Sequence, residues 1–193
     1  MKIFAISGSA RSGSTNTALL MALKSIAPSD VAMDVYTQIG ELPVFSPDLE
    51  GSRKPESVKR FTEHISKSDG VLISSPEYVR GIPGGLKNAI DWLVSGDQIV
   101  GKPIALVHAS HRGDDMLGAL RTVLSTISSS FNNDLFLRVP VMKEAPERIA
   151  QILESSANRT RAEAFLRDFS VYCSGVADLC VQASSAALPR SRE

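Results

Sequence analysis

KIFAISGSARSGSTN, residues 2–16, joins a short apolar run to a loop of small polar residues and then to the start of a helical pattern. Residues 2–7 predict a buried β-strand, because the run is apolar and Gly8 then introduces a turn. From Ser14 to about Ile26, leucines recur at the spacing of one helix face. A strand, a small-residue loop and a helix in this order are typical of an α/β domain.

The same alternation of apolar strands and amphipathic helices continues along the chain. Further strands are predicted over residues 31–37, 69–75, 103–109 and, as a shorter fifth strand, 135–139. Further helices are predicted over residues 55–68, 84–94, 115–129 and from 147 onward with a break near 155–158. The proline- and glycine-rich stretch 40–54 predicts a long irregular connection. Five apolar strands that alternate with helices predict a parallel sheet covered by helices on both faces.

Composition places the chain among ordinary globular proteins. Its 193 residues fit a single domain, predicted over residues 1–184, with a flexible polar tail at 185–193. The 21 basic and 21 acidic residues cancel, which argues against a nucleic-acid partner, an anionic membrane surface and a dedicated electron shuttle. The N-terminal apolar run is too short for a signal peptide, and no stretch approaches the roughly 20 apolar residues of a membrane span. We therefore expect a cytoplasmic location.

Two cysteines, Cys173 and Cys180, lie seven residues apart near the end of the sequence. This spacing puts both on one face of a helix, where a disulfide between them is geometrically impossible. We therefore expect reduced thiols. The sequence contains no metal-ligand spacing and no arrangement typical of a nucleophilic triad.

The loop after the first strand has the composition of a phosphate-binding loop. Gly8 and Gly13 permit unusual backbone angles, so that successive amides can point at one anion. The following helix N-terminus adds unpaired N–H groups and a partial positive charge. The predicted phosphate contacts are Ser9, Arg11, Ser14, Thr15 and Asn16. The alternative is an ordinary turn with Ser14 as helix N-cap. The glycine spacing fits neither a Walker A loop nor a GxGxxG dinucleotide motif.

Residues 75–92, after the third strand, read SPEYVRGIPGGLKNAIDW. This stretch resembles the NADPH-dependent FMN reductase family, which includes bacterial chromate, azo-dye and quinone reductases. That family has a Pro-Glu-Tyr loop followed by Pro-Gly-x-Leu-Lys-Asn-Ala-Ile-Asp-Trp. The first loop matches the same family, as does Leu42-Pro43 with Asp48. The resemblance covers about residues 1–140.

The resemblance implies a flavodoxin-like three-layer sandwich with strand order 2-1-3-4-5. It also implies FMN, with the phosphate in the first loop and the isoalloxazine ring against Pro76, Glu77 and Tyr78, and a homodimer or homotetramer. A flat ring needs a flat apolar wall and amides at its polar edge, which such a turn supplies. The alternatives are a half-buried core aromatic for Tyr78 and a solvated charge for Glu77. Val79 stands where the family often has Asn or another polar residue, so the resemblance does not imply a side-chain hydrogen bond to the flavin at this position.

A third loop, residues 109–115, follows the fourth strand and matches the family less well. Ser110 and Gly113 keep the small character that, in the family, packs against the pyrimidine end of the flavin. Arg112 is a candidate for the C2 carbonyl edge, where its charge would stabilise a reduced anionic flavin. The alternative that we favour is a salt bridge from Arg112 to Asp114 or Asp115. The three histidines are predicted to be structural or surface residues, and structural roles are predicted for Lys87, Asn88, Asp91 and Trp92.

Together these observations predict a flavin oxidoreductase. NADPH or NADH would reduce the bound FMN, and a small-molecule acceptor such as a quinone, an azo compound or chromate would then take the electrons. Hydride transfer between the two rings needs no protein nucleophile and no metal, so we assign no catalytic side chain. A flavodoxin-type electron carrier without nicotinamide activity and a regulatory relative that has lost its flavin are the alternatives.

Overall fold

The structure, a computed structural model, describes residues 1–186, so that residues 187–193 of the predicted tail lie outside the described part. The strands are β1 (Lys2–Ser7), β2 (Ala32–Tyr36), β3 (Gly70–Ser74), β4 (Ile104–His108) and β5 (Phe131–Arg138). The helices are α1 (Thr15–Ser25), α2 (Glu56–Ser66), α3 (Gly84–Asp91), α4 (Asp114–Ile127), α5 (Pro146–Glu154) and α6 (Ser156–Ala186). The predicted break between the last two helices is confirmed, at Ser155.

The five strands form one parallel sheet in the order β2-β1-β3-β4-β5, which confirms the flavodoxin-like order implied by the resemblance. Two hydrophobic clusters lie on opposite faces of this sheet. Along β1, Ile3 and Ala5 belong to one cluster, together with residues of α1, α5 and α6. Phe4 and Ile6 belong to the other, together with residues of α2, α3 and α4. The sheet is therefore covered by helices on both faces, as predicted.

The fifth strand is longer than predicted and begins earlier. It starts at Phe131, which pairs with Ile104, and the register then shifts before Phe136 pairs with Leu106. The cause is a local irregularity, because Asn132 Oδ1 accepts hydrogen bonds from the backbone N–H groups of Asp134 and Leu135. Exposed polar residues on an edge strand carry no periodic signal, and so the sequence pattern indicated only the apolar end of β5.

The irregular connection at 40–54 is confirmed, and it is fastened by the helix that carries the long motif. Asn88 Oδ1 accepts a hydrogen bond from the Phe45 N–H (2.8 Å), and its Nδ2 donates to the carbonyls of Leu42 and Pro43. The fully buried Trp92 also donates from Nε1 to the Pro43 carbonyl (2.8 Å). Lys87 and Asp91 form the predicted i,i+4 ion pair. These four residues are therefore structural, as predicted.

Cys173 lies buried in α6 as a free thiol, and burial raises its pKa to about 12. The side chain of Cys180 falls outside the described part of the molecule. Across residues 1–186, no helix is both long and apolar enough to cross a bilayer. The same residues contain no group of His, Cys, Asp and Glu side chains suited to a metal ion.

Candidate functional site

The loops after β1, β3 and β4 meet around a cavity of about 260 Å³ at the carboxyl edge of the sheet. Parallel sheets bind their ligands at this edge. A larger cavity, of about 710 Å³, lies around Asp69, Lys102 and Cys173 at the opposite edge. Its lysine already donates a hydrogen bond to the Ser68 carbonyl (2.5 Å), and no predicted site residue lies there. The smaller cavity is therefore the candidate site.

Six predicted site residues line this cavity: Thr15, Asn16, Pro76, Glu77, Ser110 and Arg112. The other five predicted residues lie outside its lining: Ser9, Arg11, Ser14, Tyr78 and Val79. Of the remaining lining residues, the sequence indicated Gly113 as a small residue of the third loop, but it did not indicate Ser75, His108, Ala109 or Met142. The position of Ser75, directly before the Pro-Glu-Tyr loop, is a signal that could have revealed it. Met142 follows β5 in a segment without a local motif.

The first loop passes so close to the end of β3 that Gly8 admits no side chain. Its N–H donates to the Ser74 carbonyl (2.8 Å), and a Cβ at Gly8 would lie 2.6 Å from Ser75 Oγ. Ser14 is the N-cap of α1 and accepts a hydrogen bond from the Thr17 N–H (3.4 Å), a role that leaves its hydroxyl hydrogen available as a donor. The N-terminus of α1, an 11-residue helix, therefore lies directly at the end of this loop.

Asn16 joins this helix to the sheet from a buried position. Its Oδ1 accepts a hydrogen bond from Ser74 Oγ (2.9 Å), which leaves Nδ2 as its side-chain donor on the cavity. Ser9 is also buried, and its Oγ accepts the Arg11 N–H (3.3 Å). The Arg11 side chain is exposed. The loop thus combines neutral donors, a helix N-terminus and the exposed guanidinium of Arg11, a set of groups suited to binding a phosphate.

The second loop is a tight hairpin with a strained tip. Tyr78 and Gly81 exchange both backbone hydrogen bonds (3.2 and 3.0 Å). Between them, Val79 has φ 51° and Arg80 φ 58°, the left-handed pair of a type I′ turn. A β-branched residue rarely adopts this conformation. Tyr78 is 50% exposed, and Val79 is fully exposed.

Two contacts tie this hairpin to the start of α4. The Glu77 carboxylate accepts a hydrogen bond from the Met116 N–H (3.1 Å), within the first turn of the helix. Arg80 forms an ion pair with Asp115 (2.5 Å), and this carboxylate raises the pKa of the guanidinium. A carboxylate near a helix N-terminus is stabilised by the helix dipole. Glu77 is therefore a bridging residue, and the alternative of a merely solvated charge is wrong.

The third loop contains a correction. Asp114 pairs with Arg138, which lowers the pKa of that carboxyl group, and Asp115 pairs with Arg80. The predicted salt bridge from Arg112 to either aspartate is therefore wrong, because better-placed arginines on β5 and the hairpin take both. Arg112 instead lines the cavity, while its backbone N–H donates to Ser110 Oγ (3.0 Å).

His108 lies beneath the third loop at the end of β4 and is only 1% exposed. Its Nε2 is 2.5 Å from the Arg112 carbonyl oxygen. Burial lowers the pKa of the imidazole, so the ring is neutral at pH 7. Gly113 follows with φ 99°, and a Cβ there would lie 2.8 Å from His108 Nε2. The third loop is therefore packed directly on the histidine ring.

The whole arrangement suits a planar ligand with a phosphate group. Pro76, Ala109 and Met142 give the cavity apolar walls, and Asn16, Ser110 and Arg112 give it donors. The adjoining first loop supplies the phosphate donors described above. These residues fit the chemistry of FMN, which joins a flat ring with a polar edge to a phosphate.

Comparisons with known proteins agree. The sequence profile of the NADPH-dependent FMN reductase family matches residues 1–136. A 2-hydroxy-1,4-benzoquinone reductase from a Burkholderia species is 41% identical over 65% of this chain and 66% of its own length. A quinone reductase from Pseudomonas putida is 37% identical over 70% of each chain. The matches thus span about two thirds of the length of these curated relatives.

Among solved structures, FerB, a flavoenzyme NAD(P)H:(acceptor) oxidoreductase from Paracoccus denitrificans, has a TM-score of 0.66 and 25% identity. The alignment covers 92% of this chain and 97% of FerB, and so extends well past the family profile. FMN as cofactor and NAD(P)H as electron donor follow from the profile match, which covers more than half of the chain. This chain belongs to the NADPH-dependent FMN reductase family and is a flavin oxidoreductase.

Proposed function

We propose that FMN binds across the first loop and the 260 Å³ cavity, and that the reduced flavin passes its electrons to a quinone. The observation that carries this proposal is the convergence of six predicted residues, from three separate loops, on one cavity at the carboxyl edge of the sheet. The quinone class is supported by the names of the relatives from Burkholderia and Pseudomonas putida. Azo compounds and chromate are the other candidate acceptors.

The proposed contacts divide between the two ends of the flavin. Ser9, Arg11, Ser14, Thr15 and Asn16 would hold the phosphate, supported by the helix N-terminus that opens at this loop. The ring would lie against residues of the second and third loops: Pro76, Glu77, Tyr78, Val79, Ser110 and Arg112. Because the Glu77 carboxylate is engaged by Met116, we expect its backbone rather than its side chain to face the ring.

Bound FMN supplies the chemistry, by accepting hydride from the nicotinamide and releasing electrons to the acceptor. The protein's task is to orient the rings and to limit water in the site. Pro76, Ala109 and Met142 exclude water along the cavity walls. The Arg112 guanidinium would stabilise negative charge at the pyrimidine edge. No side chain is required to transfer a proton for the hydride step, so none is assigned a catalytic role.

The location and assembly remain part of this proposal. A cytoplasmic location is supported by the nicotinamide donor of the family and by the unpaired, buried Cys173 thiol. A homodimer or homotetramer is supported by exposed valines such as Val44 and Val94, which flank the Pro43–Trp92 contact in sequence. Light scattering on the purified protein and on a Val94→Glu variant tests the oligomer, because a charge at an apolar interface would dissociate it.

The decisive test is an anaerobic titration of the FMN-loaded protein with NADPH and, separately, NADH, followed by flavin absorbance. We expect two-electron bleaching without a partner protein, and reoxidation on addition of a benzoquinone. Bound FMN that stays oxidised with both nucleotides would contradict the proposed reaction and favour an electron carrier. A protein that cannot be loaded with FMN would contradict the proposed site itself.

A further inference from the structure

We propose that His108 is a positioning residue of the flavin site, which fixes the third loop through Nε2 and offers Nδ1 to the N–H donor of the bound ring. This proposal rests on the flavin site proposed above. It concerns a residue outside the sequence motifs, one that the sequence pattern indicated only as part of a strand.

The first contact determines which nitrogen carries the proton. His108 Nε2 is 2.5 Å from the Arg112 carbonyl oxygen, which can only accept a hydrogen bond. Nε2 must therefore be the protonated nitrogen of the neutral ring. The bond closes the loop from residue 108 to residue 112 and so determines where the Arg112 side chain and the start of α4 lie.

The second nitrogen is left without a partner. With the proton on Nε2, Nδ1 is a hydrogen-bond acceptor. Nδ1 is buried and makes no hydrogen bond with the described residues, although the Ser75 carbonyl acts on the ring and favours its protonation. His108 also lines the cavity wall. Buried polar atoms are nearly always paired, by protein, water or ligand. An orphaned acceptor in the wall of a ligand cavity therefore points to a donor on the ligand.

Burial, rather than the charges around the ring, favours this neutral form. Arg138, on β5, opposes protonation of His108, whereas Asp114, on α4, favours it. Asp114 is itself paired with Arg138, so the two largely offset each other at the histidine. The backbone carbonyls of Arg112 and Ser75 favour protonation, but burial is the largest influence and disfavours the imidazolium. His108 therefore keeps Nδ1 as an acceptor at neutral pH.

The chemistry of the flavin ring matches this acceptor. The pyrimidine edge of isoalloxazine carries two carbonyl oxygens, which only accept, and one N3–H group, which only donates. Arg112 and Ser110 provide donors for the oxygens on the same cavity wall. His108 Nδ1 is buried beside this cavity, and it would accept from N3–H through one bound water or after a movement of the third loop that uncovers it.

Two substitutions separate the roles of the ring nitrogens from simple packing. His108→Leu keeps the bulk but removes both hydrogen bonds, and we expect FMN affinity to fall roughly tenfold, as for the loss of one buried hydrogen bond. His108→Gln supplies an amide donor and an acceptor, and we expect it to restore most of the affinity. His111→Gln, in the same loop but exposed, is the matched control and should bind FMN like the wild type. An unchanged FMN affinity in His108→Leu, measured by quenching of flavin fluorescence, would overturn the proposal.

A measurement on the unmutated protein avoids any effect of substitution on folding. With ¹⁵N-labelled histidine, we expect His108 to show the Nε2–H tautomer with and without FMN. Its Nδ1 signal should shift on FMN binding towards that of a hydrogen-bonded nitrogen, while the His64 signals stay in place. Saturation with FMN without such a shift would contradict the role of His108 and leave the flavin site intact. Failure of the wild type to bind FMN would instead contradict the proposed function.

Discussion

Asn88 shows how much of the family motif serves the scaffold. Its side-chain amide makes three hydrogen bonds to backbone groups between Leu42 and Phe45, and so holds the connection between β2 and α2 against α3. The motif that indicated a flavin site thus includes a residue whose side-chain amide is engaged by the scaffold. Asn88 and Trp92 fasten the 40–54 connection, whereas Pro76 and Glu77 in the loop line the cavity.

Replacing Asn88 by Leu should lower the free energy of unfolding by roughly 2–3 kcal/mol, because three backbone groups lose their partner. Urea unfolding followed by circular dichroism measures this loss. Lys87→Gln, one residue away, removes only an exposed ion pair and should change stability by less than about 1 kcal/mol. Equal effects of the two substitutions would contradict the fastening role of Asn88.

His108 should make stability depend on pH in the mildly acidic range. Burial lowers its folded-state pKa below the ordinary value of 6.5, so the unfolded state binds the proton more readily. The stabilisation is complete above about pH 6.5 and is lost as the pH falls through the folded-state pKa, by at most about 1.4 kcal/mol per pH unit. Asp114, whose folded-state pKa is lowered, contributes its own loss only at more acidic pH.

This linkage can be tested by measuring the unfolding free energies of the wild type and of His108→Gln from pH 7.5 to pH 5, in steps of about half a pH unit. We expect the wild type to lose stability more steeply over this range than the variant. Parallel curves would show that His108 does not take up a proton on unfolding.

Individual ion pairs mark the limit of prediction from sequence at this scale. Arg112 and the two aspartates are neighbours in sequence, which made a local salt bridge the simplest interpretation. The fold instead brings Arg138 and Arg80 to these aspartates from β5 and from the hairpin. Long-range neighbours of this kind depend on the three-dimensional arrangement, and no local pattern encodes them.

At the scale of elements, the hairpin at residues 78–81 is held in an unfavourable conformation. Type I′ turns strongly prefer Asn-Gly, yet this turn contains Val79 and Arg80, both with positive φ. Its anchors are the Glu77–Met116 hydrogen bond and the Arg80–Asp115 ion pair. Strained backbone of this kind persists where the surrounding contacts over-determine it, and it is common at ligand sites.

Val79→Asn should therefore raise the free energy of unfolding by about 1 kcal/mol, because Asn tolerates the left-handed region and Val does not. Thermal unfolding monitored by circular dichroism detects this gain. Val100→Asn replaces another exposed valine, whose φ is not positive, and should leave the melting temperature nearly unchanged. A lower melting temperature for Val79→Asn would indicate that the side chain of Val79 makes a stabilising contact.

Most elements were predicted from sequence because their apolar spacing follows the period of a strand or helix. The pattern placed β1 at residues 2–7 and put the break between the last helices near 155–158, and both are confirmed. It missed the start of β5, where Asn132 turns the chain through side-chain hydrogen bonds. At the site, it indicated the loops but not His108, because a buried histidine in a strand has no local signature.

At the scale of the whole molecule, α6 is part of the core although it lies beyond the residues matched by the family profile. Phe169 on this helix is fully buried and packs against Gly70 at the start of β3, where a Cβ would lie 2.8 Å from the phenyl ring. Tyr172 adds a hydrogen bond from its hydroxyl to the Ser130 carbonyl (3.2 Å). The helix thus covers one face of the sheet opposite the face packed by α2, α3 and α4.

Phe169→Ala should lower the free energy of unfolding by roughly 3–5 kcal/mol, because it leaves a cavity between α6 and the sheet. Chemical denaturation measures this loss. Val171→Ala, on the same helix but exposed, should change stability by less than about 0.5 kcal/mol. Similar small losses for both variants would mean that α6 is not integral to the folded domain.

Trp92 is the only tryptophan in the sequence. Its indole is fully buried, meets the ring of Phe45 edge-on and is bound through Nε1 to the Pro43 carbonyl. The protein therefore contains its own fluorescent reporter, and this reporter monitors one event, the attachment of the 40–54 connection to α3. If that connection detaches before the sheet unfolds, the emission will shift to longer wavelengths while the far-ultraviolet circular dichroism is still native.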